Sequence, residues 1–208
     1  MTSSHSGTRK TMTGKPMADA ATRFKELRQL YIDHHVEVDQ RNYVETGCRD
    51  GQMLAHFLAD GWSCHGIEMD PELARKASCA LQDEDATIYS GDSADLIWHV
   101  CRKIQGPAFF FLDAHWWGKF GECAQSDLPL LSELAAIRTR SYADFVVIDD
   151  VNLFGLNKEQ CEENGVDIGW AGVTRMTIQT ALGKSRILAK GVVDDEKPYR
   201  MWISLVER

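Results

Sequence analysis

Residues 43–51 read YVETGCRDG and residues 65–71 read HGIEMDP. An acid ending one extended stretch, a glycine turn into a helical pattern and a second acid ending the next stretch make a nucleoside-binding layout. Gly47 and Gly51 permit a turn with positive φ and a close backbone approach to a ligand, and the amides opening the next helix supply donors and partial positive charge. Glu68 lies 23 residues beyond Glu45 (68 − 45), near the offset of roughly 20 at which a second-strand carboxylate reaches ribose hydroxyls. Arg49 stands where a dinucleotide fingerprint requires glycine and no third glycine follows in place, so a bulky pyrophosphate is disfavoured. The competing reading is a plain βα turn of some other α/β protein.

Outward from this stretch, apolar spacing lays out the rest of the chain. Met17, Ala21, Phe24, Leu27, Leu30 and Tyr31 form one helical stripe ahead of a first strand at about 42–46. Met53, Leu54, Phe57 and Leu58 mark the helix after the glycine turn, and 63–69 is the second strand. Asp70-Pro71 is a helix start, with an N-cap acceptor and a proline at the first helical position, and Leu73, Ala77 and Leu81 carry the buried face. A third strand at 86–90, a helix through Leu96, Ile97, Val100 and Ile104, and a continuous apolar strand at 108–112 follow. Leu130, Leu131, Leu134 and Ile137 give the next helix and 145–148 another buried strand. Strands alternating with helices demand a mainly parallel sheet covered on both faces. Residues 151–170 read as a long loop, a candidate lid whose Leu153, Phe154, Leu156 and Trp170 could cover a substrate without joining the core, or else an ordered surface loop or an oligomer contact. A helix near 173–182 and two strands, 186–193 and 199–206, joined through DDEKP end the chain.

At 208 residues with a net charge of −8, one α/β domain over 17–208 is expected, and a broad phosphate-neutralising face is not. The first 16 residues, rich in Ser, Thr, Gly and Lys, read as a disordered tail. Cysteines at 48, 64, 79, 101, 123 and 161 form no C-x-x-C pair and no zinc-type spacing with His, so they read as free thiols of a reducing, cytoplasmic compartment. No apolar run approaches the roughly 20 residues of a membrane helix, and the start lacks a signal-peptide core.

E-x-G-x-x-x-G followed by GIEMDP resembles motifs I and II of class I S-adenosylmethionine (SAM) methyltransferases, whose ligand carries an amino-acid tail where a dinucleotide carries phosphate. The resemblance covers about 40–208. It implies a Rossmann-like, doubly wound, seven-stranded, mainly parallel sheet with an antiparallel C-terminal strand. It also implies a cofactor site built from Glu45, Gly47, Gly51, Glu68, Asp92 and Asp113. Asp92, in YSGDSADLI, would contact the adenine, and a helix N-cap at Asp92 or Ser93 explains it equally well.

FFFLDAHWWG puts Asp113 at the carboxyl end of the fourth strand, and VVIDDVN puts Asp149 and Asp150 at the end of its neighbour. Carboxylates converging on one edge repel unless a cation sits between them, and oxygen ligands of this kind suit Mg²⁺ or Ca²⁺. The set resembles the metal site of catechol-type O-methyltransferases, with Asp150 in place of an Asn. The structural reading is a cap plus a water-facing acid pair. A divalent ion would lower the pKa of a substrate hydroxyl. His115 is the candidate general base, with Lys119 as an alternative, and Asp113 is placed beside it in the catalytic set. Trp116, Trp117 and Phe120 would wall an aromatic pocket or pack a lid.

The chain has Asp-Ala-His-Trp where methyltransferases of nucleobase amines resemble one another in an Asn or Asp followed by Pro-Pro and an aromatic residue. With the acidic charge, that implies SAM-dependent O-methylation of a small-molecule hydroxyl acceptor, without nucleic acid or membrane partners and with homo-oligomerisation left open. A catalytically silent SAM-binding or regulatory protein of the same fold is the alternative. Asp-Ala-His also resembles a segment of arginase-like metal hydrolases, whose further ligands are missing here.

Overall fold

The computed structural model describes residues 19–35, 41–114, 128–164, 166, 168–193 and 199–207. The expected tail at 1–16, the DDEKP turn and the whole of His115, Trp116, Trp117, Lys119 and Phe120 lie outside the described residues.

Helix α1 (Ala20–His34) precedes strand β1 (Asn42–Thr46), and α2 (Gln52–Ala59), β2 (Ser63–Glu68), α3 (Pro71–Ala80), β3 (Ala86–Ser90), α4 (Ser93–Lys103) and β4 (Ala108–Leu112) follow in alternation. Then come α5 (Leu130–Arg138), β5 (Phe145–Ile148), α6 (Lys158–Glu163), α7 (Arg175–Leu182), β6 (Ile187–Val193) and β7 (Arg200–Leu205). The strands form one seven-stranded sheet in the order β3-β2-β1-β4-β5-β7-β6. β1 to β5 run parallel, and β7 is antiparallel to both β5 and β6. The Rossmann-like, mainly parallel sheet expected from the sequence is therefore the fold of this protein.

The period of two in each strand decides which layer covers which residue. Val44, Phe110, Leu112, Val146, Ile148 and Ile203 face α4, α5 and α7, whereas Tyr43, Phe109, Phe111, Phe145 and Val147 face α1 and α2. Phe109, Phe110 and Phe111 are all fully buried, as a strand covered on both faces requires. Caps set the helix starts. The Asp70 side chain accepts from the amides of Glu72 and Leu73 ahead of Pro71, and Asp92 accepts from Ala94.

One expectation is corrected. Residues 151–170 are not a bare loop: a 3-10 turn spans Val151–Leu153, and α6 is started by a capping box between Asn157 and Gln160. Leu153 and Cys161 are fully buried, Trp170 is 3% exposed, and Phe154 and Leu156 pack against the same core cluster. The apolar set belongs to the same buried cluster as the inward residues of α4, α5 and α7. Among the described residues, no helix is long and apolar enough to cross a membrane.

Candidate functional site

Strand order reverses between β1 and β4, since β1 leads to β2 and β3 on one side and β4 leads to β5 on the other. Ligands of open α/β sheets bind at the carboxyl ends of the strands beside such a reversal. The glycine turn after β1 sits there. Gly47 has φ 73°, and a Cβ on it would lie 2.6 Å from the Asp113 carbonyl oxygen, so the ends of β1 and β4 can approach only because this residue lacks a side chain. Gly51, with φ 80°, is the N-cap of α2. Arg49 also adopts a left-handed backbone, φ 55°, at the position where glycine would be free of strain.

The turn is held by Glu68. Its Oε2 accepts from the Arg49 amide at 2.7 Å and its Oε1 from the Asp70 amide at 2.8 Å, so one carboxylate ties the loops after β1 and β2 together. Each oxygen keeps a second lone pair with which it can accept a ribose hydroxyl. Glu45, 4% exposed, is the penultimate residue of β1, with Oε2 unpartnered among the described residues. Burial, and then the Asp113 carboxylate, drive its carboxyl well above the usual range, while Arg23 works the other way.

The structure brings Glu45, Asp113 and Asp149 together and supplies a cation the sequence did not reveal. Counting along their strands, these acids continue the face of Tyr43, Phe111 and Val147, which is the face under α1. Arg23 of α1 donates from Nη1 to Asp113 Oδ2 at 2.9 Å, and its Nη2 lies 3.7 Å from Asp149 Oδ2. Arg200, the first residue of β7, sets Nε 3.2 Å from Asp149 Oδ1 and donates from Nη1 to Glu26 Oε2 of α1 at 2.7 Å. Burial weakens the hold of Arg23 on its proton, but Asp113, Asp149 and Glu45 outweigh it and keep the guanidinium charged. Burial raises the Asp149 pKa and Arg200 opposes it.

This arrangement does not fit the divalent ion expected at Asp113, Asp149 and Asp150. The positive charge that relieves their repulsion is the guanidinium of Arg23, helped by Arg200, and both Asp113 and Asp149 are turned toward it. Asp150 instead takes a left-handed backbone, φ 56°, and begins the Val151–Leu153 turn. Among the described residues no three His, Cys, Asp or Glu side chains are grouped to hold a metal. Asp92 is the N-cap of α4, which meets its structural reading and leaves an adenine contact open.

Glu133 was missed in the sequence. It projects from α5 on the opposite face of the sheet, is 1% exposed, and lines a small cavity with Leu112, Ala114, Leu130, Ile148, Asp149 and Trp170. Its Oε1 has no partner among the described residues. Burial pushes its pKa up to about 7, against the Ser93 and Thr46 hydroxyls, which favour the ionised form; Asp92 and Asp113 push it further up. A signal was available: Glu133 falls three residues after Leu130 and four before Ile137, an acid inside an apolar stripe. Arg23 and Arg200 carried no such mark.

No protein-family model and no curated protein matches the chain. Solved structures do match. A putative S-adenosylmethionine-dependent methyltransferase from Listeria monocytogenes superposes with a TM-score of 0.56 at 13% identity, over 91% of this chain and 98% of the other. Magnesium protoporphyrin IX methyltransferase from Synechocystis PCC 6803, with SAH bound, gives 0.54 at 12% identity over 91% and 83%. The glycopeptide N-methyltransferase MtfA in complex with SAM gives 0.53 at 11% identity over 89% and 94%. The fold is that of the SAM-dependent methyltransferases. Strand order, the antiparallel β7 and the acid-glycine turn at the reversal agree with it, and at such identities the likeness speaks for architecture.

Proposed function

We propose that the protein binds SAM along the carboxyl edge of β2, β1 and β4 and transfers its methyl group to a hydroxyl of a small-molecule acceptor. The observation that carries this reading is the Glu45-Gly47-Gly51-Glu68 turn at the strand reversal, with a buried Glu45 oxygen that no described residue satisfies. In this reading Glu68 accepts the ribose hydroxyls, Asp92 faces the adenine, and Glu45 and Asp113 lie toward the amino-acid tail.

Bound SAM supplies an electrophilic methyl group on a sulfonium. What remains for the chain is to align the acceptor and remove its proton. Glu133, whose pKa of about 7 suits a base working near neutral pH, is the described carboxylate that best fits proton removal. Glu133 Oε1 would take the hydroxyl proton as the acceptor oxygen bonds to the methyl carbon, and the methyl–sulfur bond would break with its electron pair staying on sulfur, leaving S-adenosylhomocysteine. His115, the base expected from the sequence, stands as a further candidate outside the described residues. The carboxylates expected to hold a metal, Asp113 and Asp149, face the guanidinium groups of Arg23 and Arg200 instead.

The test is calorimetry with SAM followed by transfer of a labelled methyl group to a panel of sugars, phenols and hydroxy acids. Binding with transfer to a hydroxyl supports the proposal. Binding with no transfer across the panel favours the silent SAM-binding alternative, and no binding refutes both.

A further inference from the structure

The acids at the ends of β1, β4 and β5 make the ligand edge hostile to a bare anion, yet the centre of that edge is a guanidinium. Arg23 reaches it from α1, with its side chain 21% exposed, and its Cζ lies 5.8 Å from the centre of the Phe111 ring. The fork is unevenly engaged. Nη1 makes a 2.9 Å hydrogen bond to Asp113, while Nη2 stands 3.7 Å from Asp149, beyond hydrogen-bond distance. A guanidinium has five N–H donors and prefers a carboxylate taken by two of them. Beside it, Glu45 is buried with Oε2 unpartnered among the described residues, close enough for its carboxylate to act on the Arg23 guanidinium.

A cationic fork next to an unsatisfied buried acid matches a ligand group carrying both charges. We infer that Arg23 is the anion receptor of this edge: it takes the carboxylate of an α-amino acid group, and Glu45 takes the adjoining ammonium. Asp113, which accepts from Nη1, holds the place of that carboxylate, and the guanidinium exchanges partners when the ligand arrives. A phosphate in the same place would face Glu45, Asp113 and Asp149 with no compensating ammonium, which accords with the absence of a pyrophosphate-type glycine run. The inference rests on the reading that this edge binds SAM. It adds that recognition of the amino-acid tail depends on a residue of the N-terminal helix. The rival account is that Arg23 only clasps α1 to the sheet.

The two accounts separate by comparing S-adenosylhomocysteine with 5′-methylthioadenosine, which keeps the nucleoside and the thioether sulfur but lacks the amino-acid group. Both are titrated calorimetrically into the wild type, into Arg23→Met, and into Arg23→Met combined with Asp113→Asn, which removes the carboxylate that the first change would strand. Loss of a charged fork should cost S-adenosylhomocysteine about tenfold or more in affinity, with 5′-methylthioadenosine changed by less than about twofold. Should the single variant not fold, the double variant carries the comparison. Parallel weakening of both ligands, or unchanged S-adenosylhomocysteine affinity, overturns the inference in favour of the clasp. Equal affinity of the wild type for the two ligands overturns it as well and leaves the SAM reading standing. Failure of the wild type to bind either ligand overturns the SAM reading itself.

Discussion

Replacing Glu133 with glutamine should change how stability depends on pH more than it changes stability at any one pH. The ordinary carboxyl pKa of 4.5 is raised to about 7 in the folded protein, chiefly by burial. Below pH 4.5 the group is protonated in both folded and unfolded chains and its stabilising contribution is fully present. As pH rises toward the folded value, only the folded protein holds the proton, and the contribution is lost through pH 7. At about 1.36 kcal/mol per pH unit, the interval integrates to roughly 3 kcal/mol. Glutamine is a neutral isostere and carries no such slope. Urea denaturation of both proteins from pH 5 to pH 8 should show the variant gaining on the wild type by about 2.5 kcal/mol across that range, the rest of the change falling below pH 5. The difference isolates Glu133, because the other titrating groups are common to both chains. A difference that stays flat with pH would mean that Glu133 ionises at its ordinary pKa, and it would remove the basis for giving this carboxyl the acceptor's proton.

Glu68→Ala should lower SAM affinity by roughly 1 to 3 kcal/mol and also lower the Tm, because two backbone amides lose their acceptor; unchanged SAM affinity in calorimetry would refute the ribose assignment. Mn²⁺ titrated into the wild type and followed by paramagnetic resonance should reveal no site at Asp113 and Asp149, and EDTA should leave SAM affinity unchanged; one bound ion lost in Asp149→Asn would reverse the correction made for these carboxylates. Hydrogen exchange over 151–170 should be slow at Leu153, Cys161 and Trp170 in the ligand-free protein, since these residues are buried in the core; fast exchange there that slows on adding SAM would restore the lid.

Local chemistry in the sequence determined much of this protein. The Asp70-Pro71 cap, the Gly47 and Gly51 turns and the alternation of strands with helices each depend on near neighbours, so they are legible without tertiary contacts. The apolar runs 108–112 and 145–148 fixed Asp113 and Asp149 at strand ends, and the period of two placed both on the same face as Glu45. Convergence of the acids, and the need for a cation among them, could therefore be read.

Which cation answers that need was decided only by the tertiary structure. Arg23 lies 90 positions from Asp113 along the chain, and nothing around it marks a partner so distant. The sequence showed unbalanced carboxylates and suggested a metal, whereas packing of α1 over Phe111 delivers a guanidinium to the same place. Residues 151–170 failed for the same reason: their mixed polarity has no clean period, and their burial depends on a cluster assembled from residues distant along the chain. Glu133 stands between the two cases. Its place in an apolar stripe was visible, but its raised pKa comes from desolvation, which exists only once the sheet, α4 and α5 have closed around it.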